Sequence, residues 1–292
     1  MIGLLASILD GVLVGAVYGL AAMGITLIWG VMHVVNLTHG AMIVAGMFAV
    51  YLFVGATGMP AYAALAPVIV GGFLAGVALY WVAIHRMIGQ PPLMSLLATF
   101  SVNLVLIGLG TDVWGTVLFN VPVSLPGFSL GRYTFPGTHL MAAALTAVIA
   151  GALYFFLYRT RAGKAVRAVA GNREAAELVG IPTTRILALS CGLGVALACV
   201  SGALIATLFP FTVLSGDAYQ LKSFVVTVLG GMGNPTGALV AGVALGLLEG
   251  VATPFMPVSW TLVIEFVLFV VVLIAFPGGL LSVRLRRGRK PG

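Results

Sequence analysis

The chain has 292 residues, of which 61% are hydrophobic and only 7% charged. A soluble domain carries roughly 25% charged residues, so this composition excludes a water-soluble enzyme and implies a polytopic helical membrane protein. The net charge of +7 does not point to nucleic acid, because the basic residues gather at the ends of apolar runs, where positive charge marks the cytoplasmic side.

Apolar windows fall at about 4–31, 36–56, 62–84, 93–111, 138–158, 186–209, 221–252 and 258–277. The alternating polarity of an outer-membrane barrel is absent. The expected fold is therefore all-α, a single transmembrane domain over 1–292 with about eight or nine hydrophobic segments. No Lys or Arg precedes Arg86, so the first run lacks the basic region of a signal peptide and is expected to remain a membrane helix.

Basic residues orient the windows. Arg86 follows the third, the cluster Arg159, Arg161, Lys164, Arg167 and Arg173 follows the fifth, and Arg284, Arg286, Arg287, Arg289 and Lys290 follow the last. All three places are expected in the cytoplasm, including a loop over 159–185 and a basic tail over 284–292. The loop 112–137, with Pro122, Pro126, Gly127, Gly131 and a single Arg132, is expected outside. From the outer loop near Phe209–Gln220 to the tail the crossings must be odd in number. Window 221–252 must then turn back on itself, with Gly230-Gly231-Met232-Gly233-Asn234-Pro235 the obvious place. The same count makes 4–56 a turned-back pair around Met32–Gly40, with the N-terminus outside.

The two breaks resemble each other. Asn36-Leu37-Thr38-His39-Gly40-Ala41 precedes an apolar run, and so does Asn234-Pro235-Thr236-Gly237-Ala238. Glycines recur at four-residue spacing in Gly11, Gly15, Gly19 and again in Gly242, Gly246, Gly250. Small residues so spaced let helix backbones approach closely. The pattern reads as a weak internal repeat, with chance in Gly-rich helices as the alternative.

A helix interrupted inside a membrane leaves free amide and carbonyl groups, tolerated only against protein or a water-filled cavity. Transporters use such ends to bind polar solutes. Asn36, Thr38, His39, Asn234 and Thr236 are thus substrate-path candidates; in the plainer reading each only caps a helix or bonds its neighbours. Ser95, Thr99 and Asn103, at i, i+4 and i+8, share one helix face. That stripe either lines a path or bonds across a helix interface at about 0.6 kcal/mol per contact. Glu265 lies mid-window and Glu249 near a window end, and intramembrane acids are costly and usually functional. With no evident basic partner in the sequence, they leave open a stand-alone proton-coupled carrier. Trp81, Tyr154, Tyr158 and Trp260 lie near window ends and read as interfacial anchors. Cys191 and Cys199, eight residues apart on one helix, are about 12 Å apart, too far for a disulfide.

No catalytic constellation or zinc spacing is present, so no metal is expected. Gly163-Lys164-Ala165 lacks the upstream glycine and the following Ser/Thr of a phosphate loop, so any ATP must be bound by another chain. The wet segment itself divides into two short helices. Gly171 ends the first, Asn172 can cap the second, and Glu174 then falls in its first turn, where a carboxylate suits the helix dipole. Gly180 serves as C-terminal cap and Pro182 forbids continuation. Ala175, Leu178 and Val179 share a face, flanked by Arg173 and Glu177, suited either to a groove in another protein or to the lipid surface.

These residues carry a resemblance. Glu174-Ala175-Ala176, three residues, then Gly180 looks like the E-A-A-x-x-x-G loop of ABC importer permeases, although the later Ile-x-Leu-Pro part of that motif is not recognisable. Asn36–Gly40, Gly163–Gly180, Leu229–Ala238 and Phe276-Pro277-Gly278-Gly279-Leu280 together resemble the branched-chain amino-acid permeases of the LivH type. That pattern has an acid after His-Gly, whereas this chain has Ala41. The resemblance implies a bacterial inner-membrane importer. A second related permease chain, two cytoplasmic ATPase subunits and an extracytoplasmic substrate-binding protein would accompany this chain in the bilayer. It implies coupling to the ATPases through Arg173, Glu174, Ala175, Ala176 and Gly180, no cofactor in this chain, and a substrate that is a branched-chain amino acid, urea, an amide or an aromatic acid.

Overall fold

The computed structural model describes residues 2–130 and 133–275. Arg132, the Phe276–Leu280 motif and the basic tail 284–292 lie outside the described residues. Helix α1 (Ile2–Met32) is followed by a break and α2 (His39–Thr57). A short 3-10 turn leads into α3 (Leu65–Leu79), which runs on through a π turn, and α4 (Pro92–Trp114) follows. The loop after α4 carries a two-stranded hairpin, β1 (Phe128–Leu130) and β2 (Tyr133–Phe135), the one β element among the described residues of an otherwise helical chain. Then come α5 (Gly137–Arg159), α6 (Arg161–Gly171), α7 (Arg173–Leu178) and α8 (Thr183–Ala206). Three more helices close the described chain: α9 (Ser215–Gly230), α10 (Pro235–Ala252) and α11 (Val258–Ala275). Among the described residues, seven helices are long and apolar enough to cross a membrane. Both expected interruptions are present, at 33–38 and 231–234.

α1 and α8 form the centre, with their apolar spans largely buried, whereas α4 and α5 leave most of theirs bare for lipid or protein. The most extensive joint is between α1 and α10. A Cβ built on Gly11 would stand 2.2 Å from the Gly246 carbonyl oxygen, one on Gly15 2.6 Å from that of Gly242, and one on Gly19 2.9 Å from that of Leu239. The two glycine series therefore face each other, antiparallel, along one seam. Their recurrence has a packing reason that needs no duplication, since only a residue without a side chain allows this approach.

Other seams use single glycines. Gly46 and Gly72 both receive Cys199, and Gly24 meets Gly194. Both cysteines are buried and unpaired. At one end of the bundle Phe48 stacks on Trp114 at 4.4 Å and meets Phe119 and Phe211 edge-on at 5.1 Å. Phe119 and Phe211 also exchange backbone hydrogen bonds of 2.8 and 3.0 Å. This knot ties the loops after α4 and α8 to α2, and aromatic pairs of this kind contribute about 0.5–1.5 kcal/mol each. Asp10 and His139 pair at the same end, while Gly30 and Gly233 meet at the other, beside the end of α5.

Candidate functional site

The first break starts from the end of α1 and returns into the bundle. His39, the first residue of α2, lies beside Gly24 and donates from Nε2 to the Ala21 carbonyl at 3.0 Å. A carbonyl can only accept, so Nε2 carries the proton and the fully buried Nδ1 is left bare and unpartnered. α2 thus begins near the middle of α1, not at its end. The bend is pinned by α4: the Leu37 amide donates to Thr99 Oγ1 at 3.2 Å, and Thr38 Oγ1 donates to the Thr99 carbonyl at 2.9 Å. Ser95, Thr99 and Asn103 are all buried. Thr99 thus bonds from α4 to the bend, at about 0.6 kcal/mol per contact.

The second element of this junction was not singled out from the sequence. The start of α9 meets the start of α2, a Cβ on Gly40 standing 2.5 Å from the Gly216 carbonyl oxygen. Gln220 bridges the two: the Gly40 amide donates to its Oε1, and its Nε2 donates to the Asn36 carbonyl at 3.3 Å. Asn36 Oδ1 accepts from the Thr38 amide at 3.0 Å, and its buried Nδ2 has no partner.

Asn234 and Thr236 lie elsewhere. Asn234 caps α10 by accepting from the Gly237 amide at 3.1 Å, whereas Asn36 caps nothing. Both Asn234 and Thr236 line a cavity of about 300 Å³ with Gly30, Val31, Tyr158 and Arg167. The candidate path residues therefore form two groups, one inside the bundle and one at the end that carries α6.

A third cluster corrects the expectation that Glu249 and Glu265 lack a basic partner. Lys222 Nζ stands 2.5 Å from Glu249 and 3.2 Å from Glu265, with the Tyr18 ring 4.3 Å away. The sequence signal was a lysine inside an apolar window, which demands an acid nearby.

At the far end, α6 and α7 form an elbow. Thr160 caps α6 by accepting from the Gly163 amide at 3.0 Å, and Arg167 donates to the Leu157 carbonyl at 3.0 Å while lying over the Tyr158 ring. Asn172 caps α7 by accepting from the Ala175 amide at 3.0 Å. Gly180, at φ 80°, closes it: the Ile181 amide donates to the Ala176 carbonyl at 3.0 Å and the Gly180 amide to that of Glu177 at 2.9 Å, the Schellman pattern. Glu177 accepts from Thr183 and pairs with Arg173 at 3.2 Å. The Thr183 hydroxyl first, and the Arg173 guanidinium after it, hold its carboxyl below the usual carboxylate range. Ala176 packs inward, while Leu178 and Val179 are 89% and 76% exposed.

A family model described as the permease component of the branched-chain amino acid transport system matches residues 7–273. The chain belongs to this family. Within the branched-chain amino acid permease family, the high-affinity transport permease LivH of Salmonella typhimurium is 26% identical over 95% of each chain. BraD of Pseudomonas aeruginosa matches to the same degree. The probable LivH of Methanocaldococcus jannaschii is 25% identical over 90% of this chain and 88% of its own. No solved structure gives a significant match.

Proposed function

We propose that this chain is a transmembrane subunit of an ATP-driven importer of the bacterial inner membrane, moving branched-chain amino acids or related small polar solutes. A second related permease chain, two cytoplasmic ATPases and an extracytoplasmic binding protein complete the machine. The N-terminus lies outside and the α6–α7 elbow in the cytoplasm.

The observation that carries the reading is α7. It is six residues long, stopped at both ends by capping bonds and braced on α8 through Glu177 and Thr183. Leu178 and the adjoining Val179 are nevertheless bare, an arrangement that fits a groove in a partner. Rocking of the ATPases would push this helix, and α6, fixed on the end of α5, would pass the motion to the cavity at Asn234 and to the bundle. Glu174 and Arg173 supply polar contacts at the rim, Ala175 and Ala176 keep the helix slim, and Gly180 makes the exit turn.

Gly180→Val forces a β-branched residue into a left-handed turn, costing about 1–3 kcal/mol locally, and Glu174→Lys reverses a charge at the positive end of α7. Both are expected to lower substrate-stimulated ATP hydrolysis and uptake together in the reconstituted complex. Normal values of both quantities with well-expressed variants would remove α7 from coupling. A stand-alone carrier is disfavoured by Lys222, which already occupies both carboxylates that a proton site would need.

A further inference from the structure

We propose that Asp217, with Gln220 and Asn36 behind it, forms a recognition site in a water-filled path for the ammonium group of a small zwitterion. The inference rests on the importer reading above and narrows its substrate to solutes bearing an amine, against urea or a simple amide.

The depth of Asp217 follows from α1. Tyr219 meets Tyr18 and Thr227 meets Thr26, two pairs with the same offset in sequence, so α9 runs parallel to α1. That offset sets Asp217 level with Ala16, three residues from the midpoint of the apolar span Ala6–Met32, or about 4.5 Å at 1.5 Å per residue. A hydrocarbon core is about 30 Å thick. Asp217 is therefore well inside the membrane, yet it is exposed, on the face that also carries Leu214, Ala218 and Leu221. It makes no ion pair or hydrogen bond with any described residue. An unpaired carboxylate cannot face lipid at that depth, and such groups face water-filled cavities or partners.

Its surroundings fit a zwitterion. The starts of α2 and α9 converge there, bringing the positive ends of two helix dipoles to one place, where a substrate carboxylate is favoured. The buried Nδ2 of Asn36 is an unspent donor in the same junction. Asp217 accepts no capping bond from its own helix, and the α9 cap position, Leu214, has no side-chain capping bond. Its carboxylate is thus left for a cation.

The test places a reporter thiol beside it, Ala218→Cys, in the complete transporter, with the two buried native cysteines as silent controls. Thiol-reactive methanethiosulfonates, one carrying a trimethylammonium and one a sulfonate, are applied in water. Both are expected to react, and Asp217→Asn is expected to lower the cation-to-anion rate ratio about tenfold, the field of one nearby charge. Reaction with membrane-permeant N-ethylmaleimide alone, or a ratio unmoved by Asp217→Asn, overturns the proposal. Uptake of labelled leucine is expected to fall about tenfold in Asp217→Asn, as for loss of one charge-assisted hydrogen bond, and to be largely restored in Asp217→Glu; equal uptake in all three overturns it as well. Should the wild-type complex move no leucine while the labelling ratio still depends on Asp217, the importer reading fails and the aqueous acidic site stands.

Discussion

Lys222 is held among two carboxylates and a tyrosine ring, with side chains of the ion pairs 3–16% exposed. Removing one partner from a buried ionic cluster leaves uncompensated charge and costs about 3–5 kcal/mol. Lys222→Met, which strands two carboxylates, is expected to lower the thermal midpoint far more than Glu265→Gln, which leaves Lys222 with Glu249. The reverse order in purified protein would show that the lysine is not the pin between α9, α10 and α11. This cluster also marks a limit of sequence reading. Glu249 and Glu265 were visible as intramembrane acids, but the residue that neutralises them lies 27 positions from one of them, on a helix that begins inside the bundle. Asn36, Thr38 and His39 were legible because a polar run interrupts an apolar one. Gln220 was not, since its role depends on two helix starts meeting.

At the scale of elements, the α1–α10 seam gives the clearest mutational contrast. Gly246→Ala would place a methyl group 2.1 Å from the Gly11 carbonyl oxygen, whereas a Cβ on Gly108, mid-α4, meets nothing within 4 Å. Overpacking of this kind costs about 1–3 kcal/mol, while Gly→Ala in an open helix gains about 0.5–1 kcal/mol. Gly246→Ala is therefore expected to unfold at lower temperature than the natural chain and Gly108→Ala at the same or a higher one. Equal midpoints would contradict the seam. The spacing of the glycines was plain in the sequence and their partner was not: periodicity along one helix says that a close approach exists, not what approaches. The caps at Asn172 and Gly180, in contrast, were legible outright, because a cap is decided within about four residues of chain.

For the whole molecule, the contacts fix an alternation. α1 runs from the Asp10 end to the Gly30 end, α2 returns, and α3, α4, α5, α8, α9, α10 and α11 continue in turn. Arg86 and the α6–α7 elbow consequently share one end and the loop after α4 the other. With the elbow in the cytoplasm, Arg173→Cys in intact cells is expected to resist an impermeant thiol reagent that modifies Asn120→Cys; labelling of both or the opposite pattern would reverse the proposed orientation.

The seam between α1 and α10 has one more consequence, for how the protein is made. Ser7 and Gly250, which bond across its end, are 243 residues apart. At a synthesis rate of roughly 5–20 residues per second, about 12–50 s separate the emergence of one side from that of the other. During that interval the first helix stays in the bilayer with its glycine groove facing lipid tails. The central joint of the bundle therefore closes only after α10 has been made.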